Sequence, residues 1–148
     1  MSAYRPPLMA VTVDVAVFTE REGRKLVALI QRGNEPYQGA WALPGGFVEL
    51  DEDLPAAAAR ELAEETGLEI APSALTQVGA YGDPARDPRM RVVSIAFQVF
   101  APDLADPVAA SDAAAGRLIP IDVATAPHFE LAFDHHLVLG DAIEAAGL

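Results

Sequence analysis

The sequence predicts one mixed domain of strands and helices, of the α+β or α/β/α sandwich class, over residues 1–148. The chain has 148 residues, 51% of them hydrophobic, which suffices for one domain with a buried core. Several segments have the alternation or composition of strands, whereas only two have helical spacing. These strands and helices do not alternate strictly along the chain, which argues against a doubly wound sheet.

The first third of the chain predicts a hairpin followed by a loop-rich segment. Residues 9–18 alternate as a strand, a turn lies at Glu22 and Gly23, and residues 25–31 form the returning strand. Residues 33–46 contain Gly, Pro, Asn and Tyr around the short apolar piece 41–43. We expect loop, brief strand and loop there.

The best-marked helix follows this segment. Asp53 can cap it, Pro55 lies in the first turn where its missing N–H does no harm, and residues 56–65 are good helix formers. Gly67 is a typical helix end. The signals for a start, a body and a stop all agree.

The second half predicts another hairpin and a terminal helix. Residues 75–81 and 91–100 resemble strands separated by a charged, Pro-containing loop, 82–90. Residues 118–121 form a short strand candidate, and the Ala- and Asp-rich run 102–116 is predicted to be loop. Residues 133–146 have the apolar spacing of a helix, with Asp134 near its start.

Composition limits the classes of partner. The formal net charge is −12, whereas nucleic-acid binding requires clustered Lys and Arg, so we expect no nucleic-acid partner. There is no cysteine, so a metal would be bound by oxygen or imidazole. No apolar run approaches the ~20 residues of a membrane helix, and no signal peptide is evident. We expect a soluble cytoplasmic protein without a membrane partner.

The strongest motif is GGFVELDEDLPAAAARELAEETGL, residues 45–68. It fits the pattern G-x5-E-x7-R-E-U-x-E-E-x-G-U, in which U is aliphatic. The matching residues are Gly46, Glu52, Arg60, Glu61, Leu62, Glu64, Glu65, Gly67 and Leu68. At ordinary residue frequencies such a match arises by chance on the order of once in 10⁹ starting positions.

Helical spacing gives this motif a chemical meaning. At about 100° per residue, Glu61, Glu64 and Glu65 lie within an arc of roughly 100° on one helix face. Like charges at i and i+4 repel, and Arg60 can relieve only part of that repulsion through Glu64. A hard divalent cation such as Mg²⁺ would relieve the rest, and a backbone carbonyl such as that of Gly45 could complete its site. The alternative is a solvated helix face with one salt bridge.

The segment resembles the Nudix box, the signature of hydrolases that cleave nucleoside diphosphates linked to another moiety. The resemblance implies an α/β/α sandwich with the box as loop-helix-loop, Mg²⁺ or Mn²⁺ as cofactor, and attack of water on a phosphorus of a pyrophosphate. By position, Gly45, Glu61 and Glu65 would be metal ligands. Glu64 would be a further ligand or a catalytic carboxylate, and Arg60 would orient them.

The general base is predicted from a separate acidic segment. Candidates are Asp103, Asp106 and Asp112, of which we favour Asp112. Related sequences commonly have a Glu shortly before the late strand, where this chain has Ala115.

Substrate choice is read outside the box. Residues 82–97, GDPARDPRMRVVSIAF, resemble a segment of ADP-ribose pyrophosphatases, as do YQGAWALPGGF and LAFDHH. Arg86 and Arg89 supply donors suited to phosphate oxygens, and Trp41 could stack a base. The alternatives are a solvated hairpin tip and a core tryptophan. We do not expect His135 and His136 to form a metal pair, since adjacent residues point to different helix faces, and His128 is assigned no role.

Three functions are compatible with these features. The first is hydrolysis of ADP-ribose to AMP and ribose 5-phosphate, and the second is hydrolysis of another nucleotide. The third is an ADP-ribose sensor without catalysis. Sensors of this kind carry a winged helix behind the domain, which we do not expect in a chain ending at Leu148. A mean hydropathy of +0.20, together with the resemblance, predicts a homodimer.

Overall fold

The computed structural model describes residues 3–108 and 113–148. The strands are β1 (Ala10–Arg21), β2 (Arg24–Arg32), β3 (Trp41–Ala42), β4 (Gly45–Phe47), β5 (Thr76–Tyr81), β6 (Val92–Phe100) and β7 (Ala113–Pro120). The helices are α1 (Leu54–Thr66), α2 (Ile121–Ala124) and α3 (His135–Ala146), and Pro72–Ala74 forms one 3₁₀ turn.

The strands form one mixed sheet in the order β3-β2-β1-β6-β5, in which β4 also pairs with β1 and β7 with β2. The central pair β1 and β6 is parallel, and the other pairs are antiparallel. A domain of the α+β or α/β/α sandwich class was predicted, and that fold class is confirmed.

The β1–β2 hairpin forms where the sequence placed it. Glu22 and Gly23 connect the paired residues Arg21 and Arg24, and both have positive φ, 53° and 76°. Two left-handed residues make the tight turn whose twist matches that of the flanking strands.

Strand β1 separates two apolar cores because its side chains alternate between the faces of the sheet. Val13, Val15 and Val17 pack with buried residues of α1. Ala16 and Phe18 point to the other face and pack with buried residues of α3. The sheet therefore lies between α1 and α3, as in the predicted α/β/α sandwich.

Helix α1 begins and ends at the predicted signals. The Asp53 side chain accepts a hydrogen bond from the Leu54 N–H at 2.8 Å. Gly67 ends the helix in the left-handed conformation, with φ of 73°. Within the described ranges, no helix is long and apolar enough to cross a membrane.

Two segments differ from the sequence-based expectation. The run 102–116 was predicted to be loop, but β7 begins at Ala113 and pairs with β2 from Arg32 to Leu26. Its alanines have weak strand preference, so pairing with a distant strand decides the conformation. The box loop also contains an unpredicted strand, β4, whose Gly45 and Gly46 pair with Asp14 and Val13 of β1.

Candidate active site

A cleft of two adjoining cavities lies beside the end of α1. The inner cavity is about 150 Å³ and the outer one about 330 Å³. Residues that line both are Ile30, Arg32, Gly45, Gly46, Phe47, Glu65 and Arg89. Carboxylates and guanidinium groups thus share one concave space, which is a typical setting for binding a phosphorylated ligand.

The acidic side of the cleft is formed by Glu61 and Glu65, held against the glycines of β4. The Gly45 N–H donates a hydrogen bond to Glu65 Oε1 at 3.0 Å. Gly46 lies against the Glu61 carboxylate, so closely that a Cβ at this position would be 2.4 Å from Glu61 Cδ. Gly46 is therefore required for the close approach of the backbone to the Glu61 carboxylate, and Gly45 for its close approach to the Val13 carbonyl oxygen of β1, 2.1 Å from where its Cβ would lie.

Burial disfavours the ionised form of both carboxylates. It raises the pKa of Glu65 to about 8, and the nearby Glu61 and Asp14 add to the rise. Burial also raises the pKa of Glu61. A cation between these side chains would favour their ionised forms, so the donor set suits a hard divalent ion.

Arg60 organises the glutamates around it. Its Nε donates to Glu52 Oε2 at 2.9 Å, and one terminal nitrogen donates to Glu61 at 2.9 Å and Glu64 at 3.2 Å. Hydrogen bonds from Arg60 lower the pKa of Glu52 to about 2. The predicted orienting contacts to Glu61 and Glu64 are present, but the strongest partner is Glu52, whose place in the motif had no assigned role.

Glu64 is separated from the other two glutamates. Its side chain is 51% exposed and bonded to Arg60, and it is absent from the lining of both cavities. Across residues 3–108 and 113–148, no three Asp, Glu or His side chains converge on one point. The structure thus brings Glu61, Glu65 and Gly45 together, and a metal role for Glu64 stays a prediction.

The floor of the inner cavity is a buried polar group that the sequence analysis did not identify. The Ser94 hydroxyl donates to Asp14 Oδ2 at 2.5 Å, and His135 Nε2 faces Asp14 Oδ1 at 3.4 Å. The Leu43 N–H donates to His135 Nδ1, so the ring proton is on Nε2. Burial raises the pKa of Asp14, but His135, Ser94 and Arg86 together hold it below its usual value.

Arg86 is part of this floor and not of a solvated hairpin tip. Its side chain is 4% exposed, and it donates two hydrogen bonds to Asp134, at 3.0 and 2.7 Å. It also lies 3.8 Å from Asp14. Its guanidinium is paired with carboxylates, but it also lines the inner cavity, so a contact of Arg86 with substrate phosphates stays a prediction.

Arg89 has the exposure expected of a substrate contact. It pairs with Asp87 at 2.8 Å, and its side chain is 37% exposed. It lines both cavities. The same loop therefore supplies one anchoring arginine and one arginine that faces the cleft.

Trp41 lies elsewhere. Its neighbour Ala42 lines the inner cavity, whereas Trp41 packs against the core beneath α3. Successive strand residues point to opposite faces, and Trp41 is absent from the lining of both cavities. It is partly buried against the core, and a base-stacking role for Trp41 stays a prediction.

The three candidates for the general base differ in where they lie relative to the cleft. Asp112 lies outside the described residues, although the next residue, Ala113, lines the outer cavity. Asp106 is exposed and paired with Arg21 at 2.6 Å, and Asp103 lines a different groove, beside Gly67. Neither of the latter two lines the cleft.

Further cleft residues had no role in the sequence analysis, among them Arg32 and Phe133. Asp14 could have been found, because an acidic residue within an apolar alternating strand is costly to bury unless it is paired. Arg32 at the end of β2 and Phe133 before α3 gave no comparable signal.

Comparison with known proteins agrees with this geometry. A model of the NUDIX domain matches residues 9–138. An ADP-ribose pyrophosphatase from Methanocaldococcus jannaschii is 40% identical over 139 residues, covering 89% of this chain and 72% of that protein. The ADPR responsive transcriptional repressor NtrR of Acinetobacter baylyi is 38% identical over 143 residues, covering 95% of this chain but only 55% of the repressor.

A solved structure extends the likeness to three dimensions. The NUDIX domain of Shewanella oneidensis NrtR, complexed with ADP ribose, superposes with a TM-score of 0.83 at 32% identity and covers 97% of this chain and 94% of that one. The family model spans most of the residues that form the sheet, the acidic helix and the cleft. The chain therefore belongs to the Nudix family.

Proposed function

We propose that this chain is a Nudix hydrolase that cleaves the pyrophosphate bond of a nucleoside diphosphate derivative in the presence of Mg²⁺, with ADP-ribose as the favoured substrate. One observation carries the proposal: Glu61 and Glu65 line the same cavity as Arg89 and Arg32. A pyrophosphate needs both a cation held by carboxylates and donors for its remaining oxygens. The pyrophosphatase relative and the ADP-ribose complex support the choice of substrate.

The residues at the acidic side fit a divalent cation. Glu61, Glu65 and the backbone carbonyl of Gly45 would bind Mg²⁺, with Mn²⁺ as an alternative, and Glu64 is the candidate for a further ligand or catalytic carboxylate. A cation bound there would neutralise charge on the pyrophosphate and lower the pKa of a water molecule. Arg60 keeps Glu61 in place through its hydrogen bond at 2.9 Å.

The reaction consumes one water molecule. The water oxygen forms a bond to one phosphorus, the bond from that phosphorus to the bridging oxygen breaks, and the bridging oxygen leaves on the other phosphate. ADP-ribose would give AMP and ribose 5-phosphate. Arg89 would contact phosphate oxygens on the side away from the carboxylates, and Asp112 is our candidate acceptor for the water proton.

Asp112 can be tested separately. If it is the general base, Asp112→Asn lowers kcat by the ~10² to 10⁴-fold typical of this role and leaves KM nearly unchanged. An unchanged kcat would exclude Asp112 and point to metal-bound hydroxide alone, or to another carboxylate such as Glu49 or Glu52.

A substrate panel tests the proposed function. Purified protein with Mg²⁺ would be given ADP-ribose, NADH, diadenosine polyphosphates and 8-oxo-dGTP, and products would be separated by chromatography. We expect the highest kcat/KM for ADP-ribose, and loss of most activity in a folded Glu65→Gln variant. A preference for another compound would reassign the substrate within the family, and near wild-type turnover by Glu65→Gln would contradict the metal site.

A second candidate function is binding of ADP-ribose without hydrolysis. The specific observation in its favour is 38% identity to an ADPR responsive repressor along 95% of this chain. With a net charge of −12, we propose that the domain itself binds the small nucleotide and not DNA. Calorimetric binding of intact ADP-ribose with no product after prolonged incubation with Mg²⁺ would favour the sensor.

A further inference from the structure

Phe133 stands between the two arginines of the cleft, and the hydrolytic role proposed above does not use it. The guanidinium carbon of Arg32 lies 5.0 Å from the centroid of its ring, and that of Arg89 lies 5.8 Å from the same centroid and 5.4 Å from that of Phe47. These distances fall within the range of cation–π attraction. One aromatic ring therefore contacts two cations that come from distant parts of the chain.

The backbone of Phe133 is in an unfavourable conformation. Its φ is 53°, in the left-handed region that bulky residues rarely adopt and that costs of order 1–3 kcal/mol. Its neighbours Ala132 and His135 are buried, and its ring also contacts Tyr37, at 4.9 Å between centroids. The surrounding structure thus holds the ring in place in spite of this cost.

The two arginines differ in how their charge is balanced. Arg89 pairs with Asp87 at 2.8 Å, whereas Arg32 forms no ion pair with any residue that the structure describes. The Arg32 Nε donates to the Pro36 carbonyl at 2.6 Å, which fixes the side chain without neutralising it. Burial and the nearby Arg89 lower the pKa of Arg32, as expected for two cations held close together.

We infer that Phe133 is a positioning residue that holds Arg32 and Arg89 side by side as one binding subsite for a diphosphate. The ring contacts both guanidiniums, and among the described residues only Arg89, through Asp87, has a carboxylate partner that a phosphate would compete with. Two adjacent guanidinium groups, each with several N–H donors, match the oxygens of two linked phosphates better than those of a single phosphate. The identity of the ligand as a diphosphate rests on the proposed function, whereas the pairing of the arginines through Phe133 does not.

The test compares Phe133→Leu, which keeps an apolar side chain but removes the π face, with Phe133→Tyr, which keeps that face. Inorganic pyrophosphate and inorganic phosphate would be titrated into each protein with Mg²⁺ by calorimetry. We expect Phe133→Leu to bind pyrophosphate at least about fivefold more weakly, as the loss of two cation–π contacts implies. Phosphate binding should change less, and Phe133→Tyr should bind as the wild type does.

Phe100→Leu is the matched control, because Phe100 is a partly exposed phenylalanine at the end of β6 that does not line the cleft. Its pyrophosphate affinity should equal that of the wild type. If Phe133→Leu does not fold, the longer Phe133→Met takes its place. Wild-type pyrophosphate affinity in a folded variant lacking the ring would overturn the inference and make Phe133 a packing residue.

Steady-state kinetics with ADP-ribose distinguish a failure of the diphosphate subsite from a failure of the proposed hydrolysis. In a hydrolase, Phe133→Leu should raise KM for ADP-ribose by a similar factor with little change in kcat. If the wild type binds pyrophosphate in a Phe133-dependent way but hydrolyses nothing, the subsite stands and the proposed function fails. If the wild type hydrolyses ADP-ribose and Phe133→Leu leaves KM unchanged, the subsite fails and the function stands.

Discussion

At the scale of single residues, Glu65 joins the acidic helix to the centre of the sheet. Its carboxylate accepts the Gly45 N–H at 3.0 Å, and burial raises its pKa to about 8. A buried carboxylate of this kind destabilises the fold when it is ionised without a nearby cation.

Stability of the metal-free protein should therefore depend on pH through Glu65. The folded pKa is about 8 and the ordinary value 4.5, so between these values the folded state binds more protons and stability falls as pH rises. We expect the melting temperature in EDTA to be lower at pH 8.5 than at pH 5.5. Glu65→Gln should reduce this difference, and added Mg²⁺ should raise the wild-type value at pH 8.5. Equal pH dependence in wild type and variant would contradict this assignment.

The two arginines of the 82–91 loop should behave differently when each is replaced by alanine. Arg86→Ala leaves Asp134 and Asp14 without their cation, and breaking a buried pair costs roughly 3–5 kcal/mol. Arg89→Ala removes a partly exposed cation from the buried Asp87 carboxylate, and should cost roughly 1–3 kcal/mol, less than Arg86→Ala, because Asp87 keeps the backbone N–H of residue 89 as a donor. Its KM for ADP-ribose should rise about tenfold or more, since a lost charge-assisted bond costs roughly 1.5–3 kcal/mol.

Urea denaturation and steady-state kinetics on both single variants check this division. A KM for Arg89→Ala within threefold of wild type would exclude Arg89 as a phosphate contact. Wild-type stability of Arg86→Ala would show that its ion pair with Asp134 contributes little.

At the scale of elements, the loop before α1 is as important to the site as the helix. Strand β4 pairs with β1 through Gly45 and Gly46, which brings bare backbone against Glu65 and Glu61. The helix fixes the spacing of the carboxylates, and the strand fixes how far they extend into the cleft.

Gly46→Ala tests the role of this strand. The added Cβ would lie 2.4 Å from Glu61 Cδ, so the flexible carboxylate must move while the backbone can stay. We expect a folded protein whose activity requires roughly tenfold more Mg²⁺, as is typical when the support of a metal ligand is altered. Gly79→Ala is the control, since its Cβ would make an ordinary contact at 3.8 Å with the Tyr81 hydroxyl oxygen. An unchanged Mg²⁺ requirement for Gly46→Ala would contradict a role for this close approach.

Elements with local signals were predictable from the sequence, and those formed by pairing with distant residues were not. Helix α1 carries its own cap at Asp53 and its own stop at Gly67. Strand β7 has no such signal, because its alanine-rich start becomes a strand only through pairing with β2. Helix α2 is a single turn and likewise gave no pattern.

The same distinction between local signals and distant contacts applies to the residues of the candidate site. Glu61 and Glu65 were predicted because helical spacing sets their direction. Arg32 and Phe133 were not, because they meet only when the end of β2 approaches the start of α3. Arg86 and Arg89 were identified as a pair, but sequence alone could not tell which of them is buried by Asp134.

At the scale of the whole molecule, several large apolar side chains near the start of β1 are exposed. Leu8 is 96% exposed and Val11 is 41% exposed, and Leu50 follows the strand that pairs with β1. Clustered exposed apolar side chains mark protein interfaces.

We therefore keep the prediction of a homodimer and direct its test to these side chains. Light scattering at micromolar concentration should give twice the chain mass of 15.6 kDa, and Leu8→Asp should shift the mass toward that of one chain. A single-chain mass for the wild type would refute the prediction, and an unchanged dimer in Leu8→Asp would move the interface elsewhere.

The ion pair of Arg86 with Asp134, with Asp14 3.8 Å away, also limits how the domain can be recombined. These three residues belong to segments far apart in the chain, and the Arg86 guanidinium balances charge that the two carboxylates would otherwise leave buried. A chimera that imports the 82–91 loop from a relative, in order to transfer substrate preference, must import matching residues from β1 and the start of α3. Exchange of the loop alone would leave the imported loop without matching residues in β1 and at the start of α3 to hold it in place.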